Sequence, residues 1–129
     1  MESLFVYGTL RKGFDNEYAA MLARSARSAG QGKVRGALYL IAHYPGLILA
    51  ADGDDWVCGE IYHLDAPGKT LRALDEYEGS EQFKRVVAPV LMDSGAWIQS
   101  NVYIYTGDTS GKQRIASGDY VEWLATKSS

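Results

Sequence analysis

Leu4-Phe5-Val6-Tyr7 is an unbroken β-branched and aromatic run that halts at Gly8, the pattern of a buried strand ending in a turn. Asn16 can then cap a helix running to about Ser25, with Tyr18, Met21 and Leu22 on its apolar side. Gly30 and Gly32 punctuate the chain before a second strand, Val34 to Ile41. His43-Tyr44-Pro45-Gly46 has turn chemistry and leads into a short strand, Leu47 to Leu49. Trp56 to Leu64 predicts a further strand, in which Gly59 marks a bulge or a close approach.

Asp65-Ala66-Pro67 opens a helix with an N-cap and a first-turn proline, and Gly79 supplies a natural stop. Phe83 to Met92 and Ala96 to Tyr105 predict a hairpin around Asp93-Ser94-Gly95, and Pro89 puts its first strand at an edge or bulge. Ile115 to Leu124 reads as a turn followed by one or two helical turns. The expectation is about six strands and two or three helices without regular alternation. That favours an α+β fold with a closed or strongly curved sheet over a doubly wound one.

The chain has 129 residues, which predicts one domain over 1–129. Thirteen Lys and Arg against sixteen Asp and Glu give a net charge of −3, which argues against nucleic acid or an anionic membrane as partner. The single cysteine, Cys58, excludes an internal disulfide and a multi-cysteine metal site. No apolar run approaches the ~18 residues that span a bilayer. Met1-Glu2-Ser3 runs straight into a strand pattern without signal-peptide character. The expected location is cytoplasmic.

Familiar chemistry motifs fail on inspection. Pro67-Gly68-Lys69-Thr70 resembles the end of a phosphate-binding loop, but His63 stands where its first glycine belongs. Gly8 and Gly13 are spaced for the same loop, yet Phe14 takes the lysine position. His43 and His63 have no carboxylate at metal-site spacing, so no metal is expected.

Two positions carry candidate chemistry. With Leu71 and Leu74 facing the core, Glu78 falls on the same helical stripe, while Asp75 and Glu76 project into solvent. An apolar stripe and a helix C-terminus both raise the pKa of a carboxyl, as a general base requires. The alternative is a helix-end glutamate that reaches water or pairs with Lys84 or Arg85. Gly8-Thr9, after a buried strand, exposes backbone N–H groups that form either an anion nest or a plain turn.

Val6-Tyr7-Gly8-Thr9-Leu10 resembles the signature loop of the gamma-glutamyl cyclotransferase-like superfamily, which includes gamma-glutamylamine cyclotransferases. Tyr44-Pro45-Gly46-Leu47, Gly59-Glu60-Ile61-Tyr62, Leu74-Asp75-Glu76-Tyr77-Glu78-Gly79, Val102-Tyr103-Ile104-Tyr105 and Ser117-Gly118-Asp119-Tyr120 follow in the family's order. The resemblance implies a small mixed β-barrel with two or three flanking helices and a cavity at one end. It implies a small-molecule gamma-glutamyl substrate, cyclised to 5-oxoproline with release of an amine and without a cofactor. Tyr7, Gly8, Thr9 and Leu10 take the substrate-binding loop, Glu78 the catalytic glutamate, and Tyr103 a cavity wall or hydroxyl donor, against a plain core role. Many relatives carry Tyr-x-Arg where this chain has Phe83-Lys84-Arg85, so one phenolic hydroxyl is missing here. That departure motivates the competing reading, a non-catalytic module that binds gamma-glutamyl ligands.

Overall fold

A strand that is buried at every position needs cover on both faces, and β1 (Ser3–Val6) has it. Leu4 and Val6 point to one apolar cluster, Phe5 and the following Tyr7 to another. The computed structural model describes residues 2–8, 17–41, 44–50, 55–78 and 83–127, with the backbone alone at 17, 18, 25, 77, 78 and 127. These hold seven strands and three helices. β1 pairs antiparallel with β4 (Trp56–Leu64) and parallel with β6 (Trp97–Tyr105). β4 pairs with β2 (Ala26–Leu40), and β6 with β5 (Phe83–Met92). β5 returns to β2 through Gly32↔Met92 and Lys33↔Leu91, which closes a five-stranded mixed barrel. β3 (Pro45–Leu49) and β7 (Gln113–Arg114) extend the far half of β2 as a side sheet.

The glycines expected to break the chain before β2 lie inside it instead. Gly30 takes a φ of +104° where the β2–β4 register slips, a bulge that bends the long strand. Gly32 marks the closure: a Cβ there would stand 2.9 Å from both Ile61 Cδ1 and the Leu91 carbonyl oxygen. Gly59 is a close approach as expected, since a Cβ would meet the Val6 carbonyl and the Phe5 ring. Pro89 faces Gln99 of β6, on the stretch of β5 before its short junction with β2, as an edge position requires.

Val34, Val57, Ile61, Val90 and Val102 fill the barrel with Phe5, and α3 (Tyr120–Lys127) adds Tyr120 to the same cluster. The Asp119 side chain caps α3 by accepting the Glu122 N–H at 3.2 Å. α1 (Glu17–Ser25) and α2 (Pro67–Glu78) cover the outer face of β1, burying Leu22, Leu71 and Leu74 against Leu4, Val6, Tyr62 and Tyr103. The Asn16 cap and the Gly79 stop lie outside the described residues. Among those residues no helix is long and apolar enough to cross a membrane.

Candidate active site

Parallel pairing of β1 with β6 brings their C-terminal ends to one end of the barrel. Phe83, which opens β5, pairs there with Tyr105. α2 ends at Glu78, five residues before Phe83, and its Leu74 packs in the cluster that holds Val6, Phe83, Tyr103 and Tyr105. The topology therefore assembles the end of β1, the start of β5 and the last turns of α2 around one end of the barrel.

Tyr7 ties this end together. Its side chain is buried in the barrel, where the hydroxyl donates to the Tyr103 carbonyl at 2.7 Å and accepts the Leu47 N–H at 3.2 Å. A buried phenol commonly finds such partners. Gly8 follows, also buried, and a Cβ on it would stand 2.8 Å from Pro45 Cγ and 3.0 Å from Cδ. The proline ring thus rests on a backbone that only glycine leaves bare. Thr9 and Leu10 lie outside the described residues, as does the side chain of Glu78, whose backbone closes α2.

Tyr103 is 5% exposed and belongs to the helix-covered core. Its hydroxyl donates to Asp75 Oδ1 at 2.6 Å, with the Leu71 carbonyl at 3.5 Å as the more distant acceptor. Asp75 is exposed, as expected, but Arg85 binds it as well, through Nε to Oδ1 at 2.9 Å and Nη2 to Oδ2 at 3.2 Å. Arg85, offered above as a partner for Glu78, is thereby engaged one helical turn earlier. Burial pushes the Asp75 carboxyl up, but the hydrogen bonds from Arg85 and Tyr103 and the Arg85 charge outweigh it and hold the group below the usual carboxylate range. The hydrogen bond to Asp75 raises the Arg85 pKa in turn. Glu76 is exposed, as expected.

The ring of Phe83 is buried between Tyr44 and Tyr105, with centroids 5.8 and 5.6 Å away. Among the described residues no group of three or more His, Cys, Asp or Glu side chains is arranged to hold a metal ion.

The sequence profile of the gamma-glutamyl cyclotransferase, AIG2-like family matches residues 4–122. This chain belongs to that family. Similar proteins include a provisionally named gamma-glutamylcyclotransferase of Methanocaldococcus jannaschii, 30% identical over 124 residues that cover 95% of this chain and 98% of that one. The gamma-L-glutamyl-butirosin B gamma-glutamyl cyclotransferase of Niallia circulans is 39% identical over 82 residues, 60% of this chain and 46% of its own length. The crystal structure of Bacillus subtilis YkqA superposes with a TM-score of 0.77 at 26% identity, covering 99% of this chain and 43% of that one. The chain thus spans less than half of the last two.

Membership sets the protein among gamma-glutamyl cyclotransferase-type enzymes and leaves the substrate open. It also gives the barrel end described above its interest, because Tyr7–Leu10 and Glu78 belong to the motifs on which the sequence resemblance rests. The Asp75–Arg85–Tyr103 cluster escaped the motif reading. One signal for it was present: Asn101, Tyr103 and Tyr105 alternate along β6, and a polar Asn in an apolar strand calls for a partner.

Proposed function

We propose that this protein is a gamma-glutamyl cyclotransferase that converts a gamma-glutamyl amide or gamma-glutamylamine to 5-oxoproline and the free amine. The substrate's α-amino nitrogen attacks its own side-chain carbonyl carbon, closing a five-membered ring. The C–N bond to the leaving amine then breaks, and the carbonyl reforms. Holding nitrogen and carbon together is largely an orientation effect. Glu78 takes the proton that the α-ammonium must lose and returns it to the departing nitrogen, two steps one carboxylate can serve. Backbone N–H groups from Gly8 to Leu10 bind the substrate α-carboxylate or the developing oxyanion. Tyr7 braces this loop from inside the barrel, and Tyr103 forms the wall beneath α2.

The observation that carries this reading is topological. The parallel β1–β6 pair brings Gly8 to the barrel end where α2 finishes at Glu78. The test is incubation of the intact protein with a panel of gamma-glutamyl amino acids, amines and peptides, with mass detection of 5-oxoproline. Glu78→Gln keeps shape and most hydrogen bonds but cannot accept the ammonium proton, so it should abolish 5-oxoproline while the protein stays folded and binds the glutamyl group. Near-wild-type turnover by this variant refutes the shuttle. Binding without turnover by the wild type supports the non-catalytic module instead.

A further inference from the structure

Helix α2 is attached to the barrel in two chemically different ways. Leu71 and Leu74 bury its apolar side, and Asp75, the next residue, is gripped by two strands. Arg85 and Tyr103 are direct partners across the β5–β6 ladder, so both donors rise from one point on the barrel wall. The grip is itself braced. Arg85 Nη1 donates to Asn101 Oδ1 at 3.2 Å, and Asn101 Nδ2 donates to Glu2 Oε2 at 2.7 Å and to the Ser3 carbonyl at 2.9 Å.

As a source of stability this is a poor arrangement. Asp75 lies in the last turn of its helix, where the macrodipole disfavours a negative charge. Its side chain is 43% exposed and that of Arg85 34%, and ion pairs so wetted add little. Three charge-assisted donors on one carboxylate supply geometry instead. A two-pronged guanidinium contact has a fixed plane, and the hydroxyl adds a third direction. Apolar contacts at Leu71 and Leu74 fix the helix's depth but resist rotation about its axis less sharply. At 3.6 residues per turn, position 78 lies about 40° around the axis from Leu74, toward Asp75.

We propose that Asp75, held by Arg85 and Tyr103, is a positioning residue that sets the rotation and height of the last turn of α2, and with it the reach of Glu78 toward the Gly8 end of the barrel. Its catalytic consequence rests on the cyclotransferase reading. Misplacement of a reacting group by about 1 Å costs up to ~100-fold in rate.

The test is Asp75→Asn, which keeps the shape and one acceptor but loses the charge. With a substrate found in the panel, kcat should fall about 10- to 100-fold while KM stays within about twofold. Tyr103→Phe should fall by a smaller factor, and the double variant should be no slower than Asp75→Asn alone, because both changes release the same turn. Residue-resolved amide exchange on the intact protein supplies a readout independent of turnover. Amides 75–78 should lose protection in Asp75→Asn while those of β1 and β6 keep theirs. Wild-type kcat in Asp75→Asn overturns the proposal, as does a loss carried in KM alone. Faster exchange throughout the barrel also overturns it, since the cluster would then be a structural support. If the wild type releases no 5-oxoproline from any compound, the cyclotransferase reading falls. Exchange at 75–78 then decides the positioning role by itself, and unchanged protection there overturns it.

Discussion

Removing one oxygen from Tyr7 tests the central joint of the barrel end. Tyr7→Phe keeps the ring among Phe5, Leu47 and Val102 but deprives the Tyr103 carbonyl of a donor and the Leu47 N–H of an acceptor. The residue is 6% exposed, so water is poorly placed to replace either bond. A neutral hydrogen bond nets about 0.5–1.5 kcal/mol, which gives about 2 kcal/mol for the pair. Unfolding entropy near 2.1 cal/mol/K per residue amounts to about 0.27 kcal/mol/K for this chain, so Tm should fall by about 7 °C. Thermal melts followed by near-UV circular dichroism measure the shift, and urea titration should give an unchanged m-value if the folded state keeps its compactness. The bonds link β1 to β3 and β6 immediately before Gly8, so KM for a gamma-glutamyl substrate should rise with the loss of stability. A Tm drop below about 1 °C, with the m-value unchanged, would refute the reasoning, because the hydroxyl would not then be holding two buried backbone groups.

Gly8→Ala should destabilise by about 1–3 kcal/mol in urea titration, since its Cβ would press on a proline ring that has few ways to yield; no change would mean that Pro45 shifts freely. The pH dependence of the Asp75 cluster has a definite sign. A carboxyl held below its ordinary value contributes stability that is full above the unfolded value of ~3.9 and is lost as pH falls through the lower folded one. The pair is wetted, so any gap in melting between wild type and Asp75→Asn at pH 7 should be small, and it should close in melts taken well below pH ~3.9. A gap that is constant down to pH 2 would mean that the charge contributes nothing.

Much of this barrel end is legible in the chain because the relevant physics is local. Trp56–Leu64 is a strand with the bounds its alternation gives, and the Gly95 turn, at a φ of +93°, makes the expected hairpin. α2 starts at Pro67 and reaches Glu78, as its cap and proline require. Each of these rests on turn chemistry, capping or periodicity within about ten residues. The ordered motifs that carry the family resemblance are equally short, which is why the family was readable before the fold. Tertiary structure alone decided the rest. A glycine that ends a strand and a glycine that lets two strands touch look alike in sequence. Only the arrival of Ile61 and Leu91 beside Gly32 makes it the closure of a barrel. Asp75 likewise shows no local sign of its partners, though it stays exposed. Its partners stand 10 and 28 residues away, and they converge on it because the β5–β6 register sets Arg85 opposite Tyr103 beneath the helix. Hydrophobic pattern tells a chain which faces to bury, but the pairing of charged and hydroxyl groups across elements depends on register and closure, which no local stretch of sequence contains.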